Sequence, residues 1–402
     1  MSAQKCCLLN LHNLQSFHKK TMKIKTPYYI VYEDKLRKNL SLIKSVEERA
    51  NVKIIMAFKA NALWKTFRII SEYCKSSTAS SLNEMQLSLD ELGNDVHAYC
   101  PVYTDDTIGK FLSGCTHITF NSVSQFQKYK PLVDEYNGKT DDKFVSCGIR
   151  INPECSVIET DIYNPCMPGS RFGVTYDELS DVLPKGVDGF HFHALCESDS
   201  HDLEKVLSAV DEKFGAFLPK LKWLNMGGGH LMTREGYDVE HLISLLKEFN
   251  VKYPNLQLIL EPGSAFTWRT GDLVSTVLDI VENHGIKTAI IDASFACHMP
   301  DCLEMPYQPK ITSALPIVNP SKPTYRIGGN SCLSGDFIGD WSFEDELKPG
   351  GKLVFEDMNH YTTVKTNMFN GIQHPSIILQ HSDNTMEILR EFSYEDYKSR
   401  MD

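Results

Sequence analysis

Short β-prone runs recur along the chain, separated by stretches whose apolar positions follow a helical period. The runs are Val52–Phe58, Ser77–Ser80, Val96–Cys100, His117–Phe120, Val145–Ile151, Asp188–His193, Lys222–Met226 and Gln257–Glu261. Between the sixth and seventh, Ser200–Lys220 carries Leu203, Val206, Leu207, Val210, Phe214 and Leu218 at helical spacing. Val239–Phe249 repeats the pattern with Leu242, Leu245, Leu246 and Phe249. Strand and helix alternating eight times predict a parallel (β/α)8 barrel of the TIM type over an open doubly wound sheet.

After Glu261 the pattern changes. Leu273–Val281, Lys287–Ala293, Thr324–Ile327, Lys352–Glu356, Tyr361–Thr366 and Ser376–Leu379 read as strands separated by Gly, Pro and Asn turns. Few helices intervene, so an all-β domain is predicted. Tyr28–Tyr32 precedes the first barrel helix without a barrel partner and is assigned to this second domain. The expected division is a barrel over residues 35–270 and a discontinuous β domain from residues 22–34 with 271–402. Residues 1–21 stand apart. They lack any acid, the first being Glu33, and Leu8, Leu9, Leu11, Leu14 and Phe17 can line one side of a helix. An organelle-targeting segment is one reading, weakened by the absence of Arg; a disordered extension is the other.

Composition narrows the function. With 41 basic and 52 acidic residues among 402, the net charge is −11. A nucleic-acid binder would show a basic stripe, so none is expected as partner. No apolar run approaches the roughly 18 residues that cross a bilayer, so no membrane span is expected. The 12 cysteines include no CxxC pair. Cys297, His298 and Cys302 come nearest to a metal set, but free thiols in a reducing, cytoplasmic setting are expected, and no metal.

The chemistry-bearing residues fall at strand ends, where an α/β barrel places its active site. Lys59 ends the first strand in MAFKANA. His193 ends the sixth in FHFHA. Gly227, Gly228 and Gly229 follow the seventh in NMGGGH. Glu261 and Gly263 end the eighth in LEPGSA. Singly, each has a bland reading: a solvated lysine, a structural histidine, a tight turn. Four in register on one rim are hard to explain by packing. A lysine at the mouth of a buried strand is placed to form a Schiff base. Three glycines expose N–H groups that hold a phosphate. Pyridoxal phosphate needs both, together with an acid such as Glu261 for its ring nitrogen, and His193 can stack on its ring. A carboxylate at that nitrogen favours decarboxylation over racemisation.

Longer strings carry a family resemblance: SSLNE at 80–84, YNPC at 163–166, GSRFG at 169–173, LKWLNMGGGH at 221–230, CHMPDCLEMPY at 297–307, GGNSCLSGD at 328–336 and FNG at 369–371. From about Thr26 to about Pro375 the chain resembles the fold-type III pyridoxal-phosphate decarboxylases, and within them the carboxynorspermidine/carboxyspermidine branch. The resemblance implies that Lys59 carries the cofactor and His193 stacks on it. Gly227 to Gly229, Gly263 and Tyr361 would hold the phosphate, Glu261 the ring nitrogen, and Arg150 would lie close by. It also implies that Cys332 protonates the carbanion after carbon dioxide leaves. That cysteine comes from the partner subunit in the family, so a homodimer with shared active sites is implied.

Leu333, not an acid, follows Cys332, which points away from ornithine. Asp301, Glu304, Asp336 and Glu197 are candidates to hold the ammonium groups of a cationic carboxy-polyamine. Ser264, Gln308 and Ala194 depart from the branch, which carries an acid, an arginine and an asparagine there. Ser264 is kept as a candidate substrate residue. The alternatives are a diaminopimelate or other basic amino-acid decarboxylase, and a catalytically silent regulatory homologue.

Overall fold

The computed structural model describes residues 24–139, 144–158, 163–179 and 182–402. The extension over residues 1–21 lies outside them. Strand β1 (Tyr28–Tyr32) leads directly into the helix Glu33–Ala50. The barrel then begins with β2 (Lys53–Ile54) and β3 (Met56–Ala57), two halves of one extended segment that flank Ile55. Around it follow β4 (Ser76–Ala79), β5 (Asp95–Tyr99), β6 (His117–Phe120), β7 (Ser146–Arg150), β8 (Gly189–His191), β9 (Trp223–Asn225) and β10 (Gln257–Leu260).

All these pairings are parallel. β2 pairs with β10 and β3 with β4, so the first segment touches both neighbours and closes the ring. The Ile55 N–H donates to the Leu260 carbonyl at 2.9 Å across that seam. Eight strand positions thus form the barrel, each overlapping a run read from the sequence.

The barrel interior needs glycine in two places. Trp223 lies inside, with its indole N–H on Ser146 Oγ at 2.9 Å. A Cβ on Gly189 would come within 2.0 Å of its ring, and one on Gly148 within 2.4 Å. Outside, the helix Ser200–Phe214 starts at Asp199, whose carboxylate accepts from the His201 and Asp202 N–H groups. It buries Leu203, Val206, Leu207, Val210 and Phe214 against the barrel. Each such side chain contributes about 1.5–3 kcal/mol of burial. Val239–Lys252 repeats the device, with Asp238 capping its start.

The second sheet is built from β11 (Gly271–Asn283), β12 (Ile286–Ile291), β13 (Ala314–Leu315), β14 (Thr324–Gly328), β15 (Phe337–Phe343), β16 (Lys352–Phe355), β17 (Ser376–Gln380) and β18 (Met386–Arg390). β1 sits between β11, antiparallel, and β17, parallel. Trp341, Tyr325, Phe295 and Phe355 form the core beneath. One predicted strand is corrected. Tyr361–Thr366 is no strand: Tyr361 has φ +54° and a short helix, Thr362–Lys365, follows it. The Tyr361 N–H is tied to the Ala60 carbonyl at 2.7 Å, and that contact overrides the β propensity of the TTV run.

Candidate active site

The strand-end residues meet at the C-terminal mouth of the barrel. Lys59 Nζ stands 3.4 Å from His193 Nε2. Lys59 is exposed to solvent at the mouth. Desolvation pushes its ammonium below the ordinary lysine value, with Glu261 pulling the other way. His193 Nδ1 accepts from the Gly228 N–H at 2.9 Å. Burial, Lys59 and Arg150 hold the imidazole well below its usual pKa, so it is neutral. An accepting Nδ1 assigns the proton of that neutral ring to Nε2, on the side of Lys59.

Glu261 is buried just beyond β10. Its Oε1 lies 3.3 Å from His191 Nε2, and its Oε2 accepts from Asn225 Nδ2 at 3.0 Å. Burial alone would raise its pKa; His191, Asn225 and Lys59 outweigh it and bring the carboxyl down to about 2. Arg150 donates to Tyr99 Oη at 2.7 Å and to the His193 carbonyl at 3.2 Å. Its Nε is buried without a partner among the described residues.

The glycines let three strand ends converge. Gly227 has φ +70° and Gly229 φ +88°. A Cβ on Gly228 would lie 2.7 Å from the Glu261 carbonyl oxygen, and one on Gly263 2.5 Å from Ala60 Cβ. The backbones of Gly228, Gly229 and Gly263, with Leu195, Ser264, Ala265 and Tyr361, wall a narrow pocket of about 40 Å³, which Gly227 does not line. Lys59 and His193 line both this pocket and an open cavity of about 740 Å³, which Glu261, Arg150, Tyr99 and Tyr163 also line. A backbone-walled recess at one end, an ionised carboxylate at the other and a lysine between them form a donor set that fits pyridoxal phosphate.

Comparison with known proteins decides the family. A family model described as "Pyridoxal-dependent decarboxylase, C-terminal sheet domain" matches residues 31–359. The chain belongs to the pyridoxal-dependent decarboxylases. A carboxyaminopropylagmatine decarboxylase of Synechocystis sp. is 43% identical, covering 94% of this chain and 95% of its own length. A carboxynorspermidine/carboxyspermidine decarboxylase of Campylobacter jejuni is 41% identical, covering 94% and 99%. A crystal structure of carboxynorspermidine decarboxylase from Campylobacter jejuni, complexed with norspermidine, superposes with a TM-score of 0.85 at 40% identity, covering 94% of this chain and 100% of the other.

In this pyridoxal-dependent decarboxylase the remaining candidates divide. Glu197 and Ser264 line the narrow pocket. Glu197 holds φ +48°, its carbonyl accepting from Arg234 at 2.9 Å. Asp301 and Glu304, on the helix Pro300–Glu304, both pair with Lys365, at 2.6 and 2.5 Å. Neither acid lines the narrow pocket or the open cavity; both add to burial in raising the hydroxyl pKa of Tyr163, which does line the open cavity. Asp336, expected at the mouth, is instead buried. Its carboxylate accepts from the Ala296 N–H at 2.9 Å and the Ser331 N–H at 3.1 Å, which shapes the loop bearing Cys332. Cys332 is exposed, its N–H on Asn370 Oδ1 at 2.8 Å, and does not line the cavity of its own chain.

Of the departures from the branch, Ser264 alone lines the pocket. Gln308 donates to the Asp340 carbonyl at 2.8 Å in the second sheet, and Ala194 is buried. Cys297, His298 and Cys302 are buried, with His298 Nδ1 accepting from the Ser294 N–H. Sequence reasoning missed His191, Asn225, Tyr99 and Lys365. Two had a readable signal: His191 lies two residues before His193 in FHFHA, and Asn225 two before Gly227 in NMGGGH. No helix among the described residues is long and apolar enough to cross a membrane.

Proposed function

We propose that this chain decarboxylates carboxynorspermidine or carboxyspermidine, releasing norspermidine or spermidine. The observation that carries the reading is Glu197 in the wall of the narrow pocket, beside a donor set that fits the cofactor, with Asp301 and Glu304 in electrostatic reach of Tyr163 of the open cavity. Such acids suit a substrate whose far end carries secondary and primary ammonium groups. The Campylobacter jejuni relative bears those substrates in its name, and the solved relative is complexed with norspermidine.

Pyridoxal phosphate, when bound, supplies an electron sink for the pair that the departing carboxylate leaves on Cα. Lys59 would hold the cofactor, and desolvation, which holds its ammonium below the ordinary lysine value, eases the loss of its proton. Gly228, Gly229, Gly263 and Tyr361 would hold the phosphate end, with Gly227 shaping the turn that leads into them. Glu261, its carboxyl brought down to about 2, is ionised and would favour a proton on the ring nitrogen. His191 and Asn225 fix that carboxylate. Neutral His193 would lie against the ring, and Arg150 positions it through the His193 carbonyl. The partner subunit's Cys332 delivers the proton to Cα, so the working unit is a homodimer.

A second reading keeps the reaction and changes the far end of the substrate to a guanidinium, as the name of the Synechocystis relative indicates. Leu333 after Cys332 speaks against ornithine. Carbon dioxide release from carboxynorspermidine, carboxyspermidine, carboxyaminopropylagmatine, diaminopimelate and ornithine tests the proposal. The carboxynorspermidine and carboxyspermidine pair is expected to give the highest kcat/KM. A preference for diaminopimelate or ornithine, or no release from any of them, contradicts it.

A further inference from the structure

The two carboxylates offered to an ammonium group already bind one. Lys365 Nζ lies 2.6 Å from Asp301 Oδ1 and 2.5 Å from Glu304 Oε2, a primary ammonium bridging both acids. The pairing is built in. Lys365 ends the helix Thr362–Lys365, which starts directly after Tyr361 of the narrow pocket, and that residue is anchored to the carbonyl beside Lys59. None of Asp301, Glu304 and Lys365 lines either cavity, but Lys365 stands four residues after Tyr361 of the narrow pocket and all three act electrostatically on Tyr163 of the open cavity, so the bridge stands close to the mouth. Glu197 differs: its carboxylate makes no hydrogen bond or ion pair among the described residues.

We propose that Lys365 is a specificity-determining residue, a built-in cation that competes with the distal ammonium groups of substrate and product for Asp301 and Glu304. The inference rests on the carboxy-polyamine reading above. Its chemical logic concerns release. Decarboxylation removes the one negative charge of the substrate and leaves every ammonium in place. The product is therefore more cationic than the substrate, and a mouth of unopposed acids would retain it. A tethered ammonium weakens that hold without removing the acids that orient the chain. It also leaves Glu197 as the acid open to a distal ammonium.

The test measures inhibition of the holoenzyme by norspermidine, with calorimetric binding of norspermidine as a readout independent of turnover. Lys365→Met keeps the length of the side chain and removes its charge. It is expected to lower the inhibition constant and the KM together by roughly three- to tenfold, since one opposing charge is lost at a partly solvated site. The gain should fade with added salt. Lys365→Arg is expected to keep wild-type values. In the Asp301→Asn, Glu304→Gln background, Lys365→Met should move neither constant further. A purely structural lysine would instead raise KM and lower kcat when removed. If the acid substitutions weaken norspermidine binding but Lys365→Met leaves it unchanged or weaker, the Lys365 proposal alone is overturned. If the acid substitutions do not affect binding, the carboxy-polyamine reading of the mouth fails and the proposal with it. Should Lys365→Met not fold, Lys365→Gln carries the same expectation.

Discussion

The two ends of the barrel hold nearly the same residues and do different things. At the mouth stand Lys59, Glu261, His191 and His193. At the floor stand Lys53, Asp95, His97 and His117, with Lys53 six positions before Lys59 on the same segment. The floor set is closed upon itself. Lys53 Nζ pairs with Asp95 at 2.6 Å and with His97 Nε2 at 3.0 Å. Ser76 and Thr116 hydroxyls donate to the Asp95 carboxylate at 2.6 and 2.7 Å, and the His97 and His117 rings stack at 3.9 Å. Burial alone would raise Asp95, but His97 and Lys53 outweigh it and hold it well below the carboxylate range. The mouth set is open. Its lysine has no carboxylate within ion-pair distance among the described residues, its neutral histidine is 3.4 Å away, and a large cavity lies in front of both. On the function proposed above, the reactive lysine differs from the structural one by what is left unpaired around it, not by its residue neighbours in kind.

That contrast can be broken in several ways. Lys59→Ala is expected to have the largest effect, reducing decarboxylation to background and abolishing the cofactor absorbance band, with little change in melting temperature. Survival of the band would remove Lys59 from its proposed role. Cys332→Ala should lower kcat by roughly 10²–10⁴-fold, the range for a lost general acid, while the band persists. Unchanged turnover would dismiss the cysteine.

Acid should weaken the fold through the histidines. His117 is held neutral, down to about 2, chiefly by burial and then by His97. A neutral folded histidine contributes fully above its unfolded pKa near 6.5, and that contribution is lost as pH falls below it. The expected loss is about 1–2 kcal/mol between pH 6.5 and 5 from His117, allowing for its partial exposure. His97, His191, His193 and His230, likewise lowered by burial, add in the same direction. Denaturant titrations at the two pH values should show the loss, and His117→Gln should reduce it. The smallest effect belongs to Lys53→Met, about 1–2 kcal/mol of stability from the partner left unpaired, with kcat/KM unchanged. If it instead abolished activity at intact stability, the two ends would not be functionally distinct.

Much of this was legible because strand ends and barrel strands carry strong local signals. Lys59, His193, the GGG run and Glu261 each follow a β-prone run, so the barrel rule alone brings them together. β15 was not legible: Gly339 and Asp340 interrupt FIGDWSF, and its pairing with β14 is set by the tertiary context. β18, MEILR, alternates charge with apolar residues at a sheet edge and gives too little apolar signal. Tyr361–Thr366 misled because β-branched residues fill a segment whose conformation is dictated by one contact to Ala60. Lys365 was invisible for a different reason. Its partners lie 61 and 64 positions away, and no local pattern links it to Asp301 and Glu304.

The most direct test is to reduce the purified holoenzyme with borohydride, which locks the cofactor onto the lysine that carries it, and to map the modified peptide by mass spectrometry. The pyridoxyl group is predicted on Lys59, with Lys53 unmodified. Its appearance on Lys53 or on any other lysine, or on none, would contradict the account.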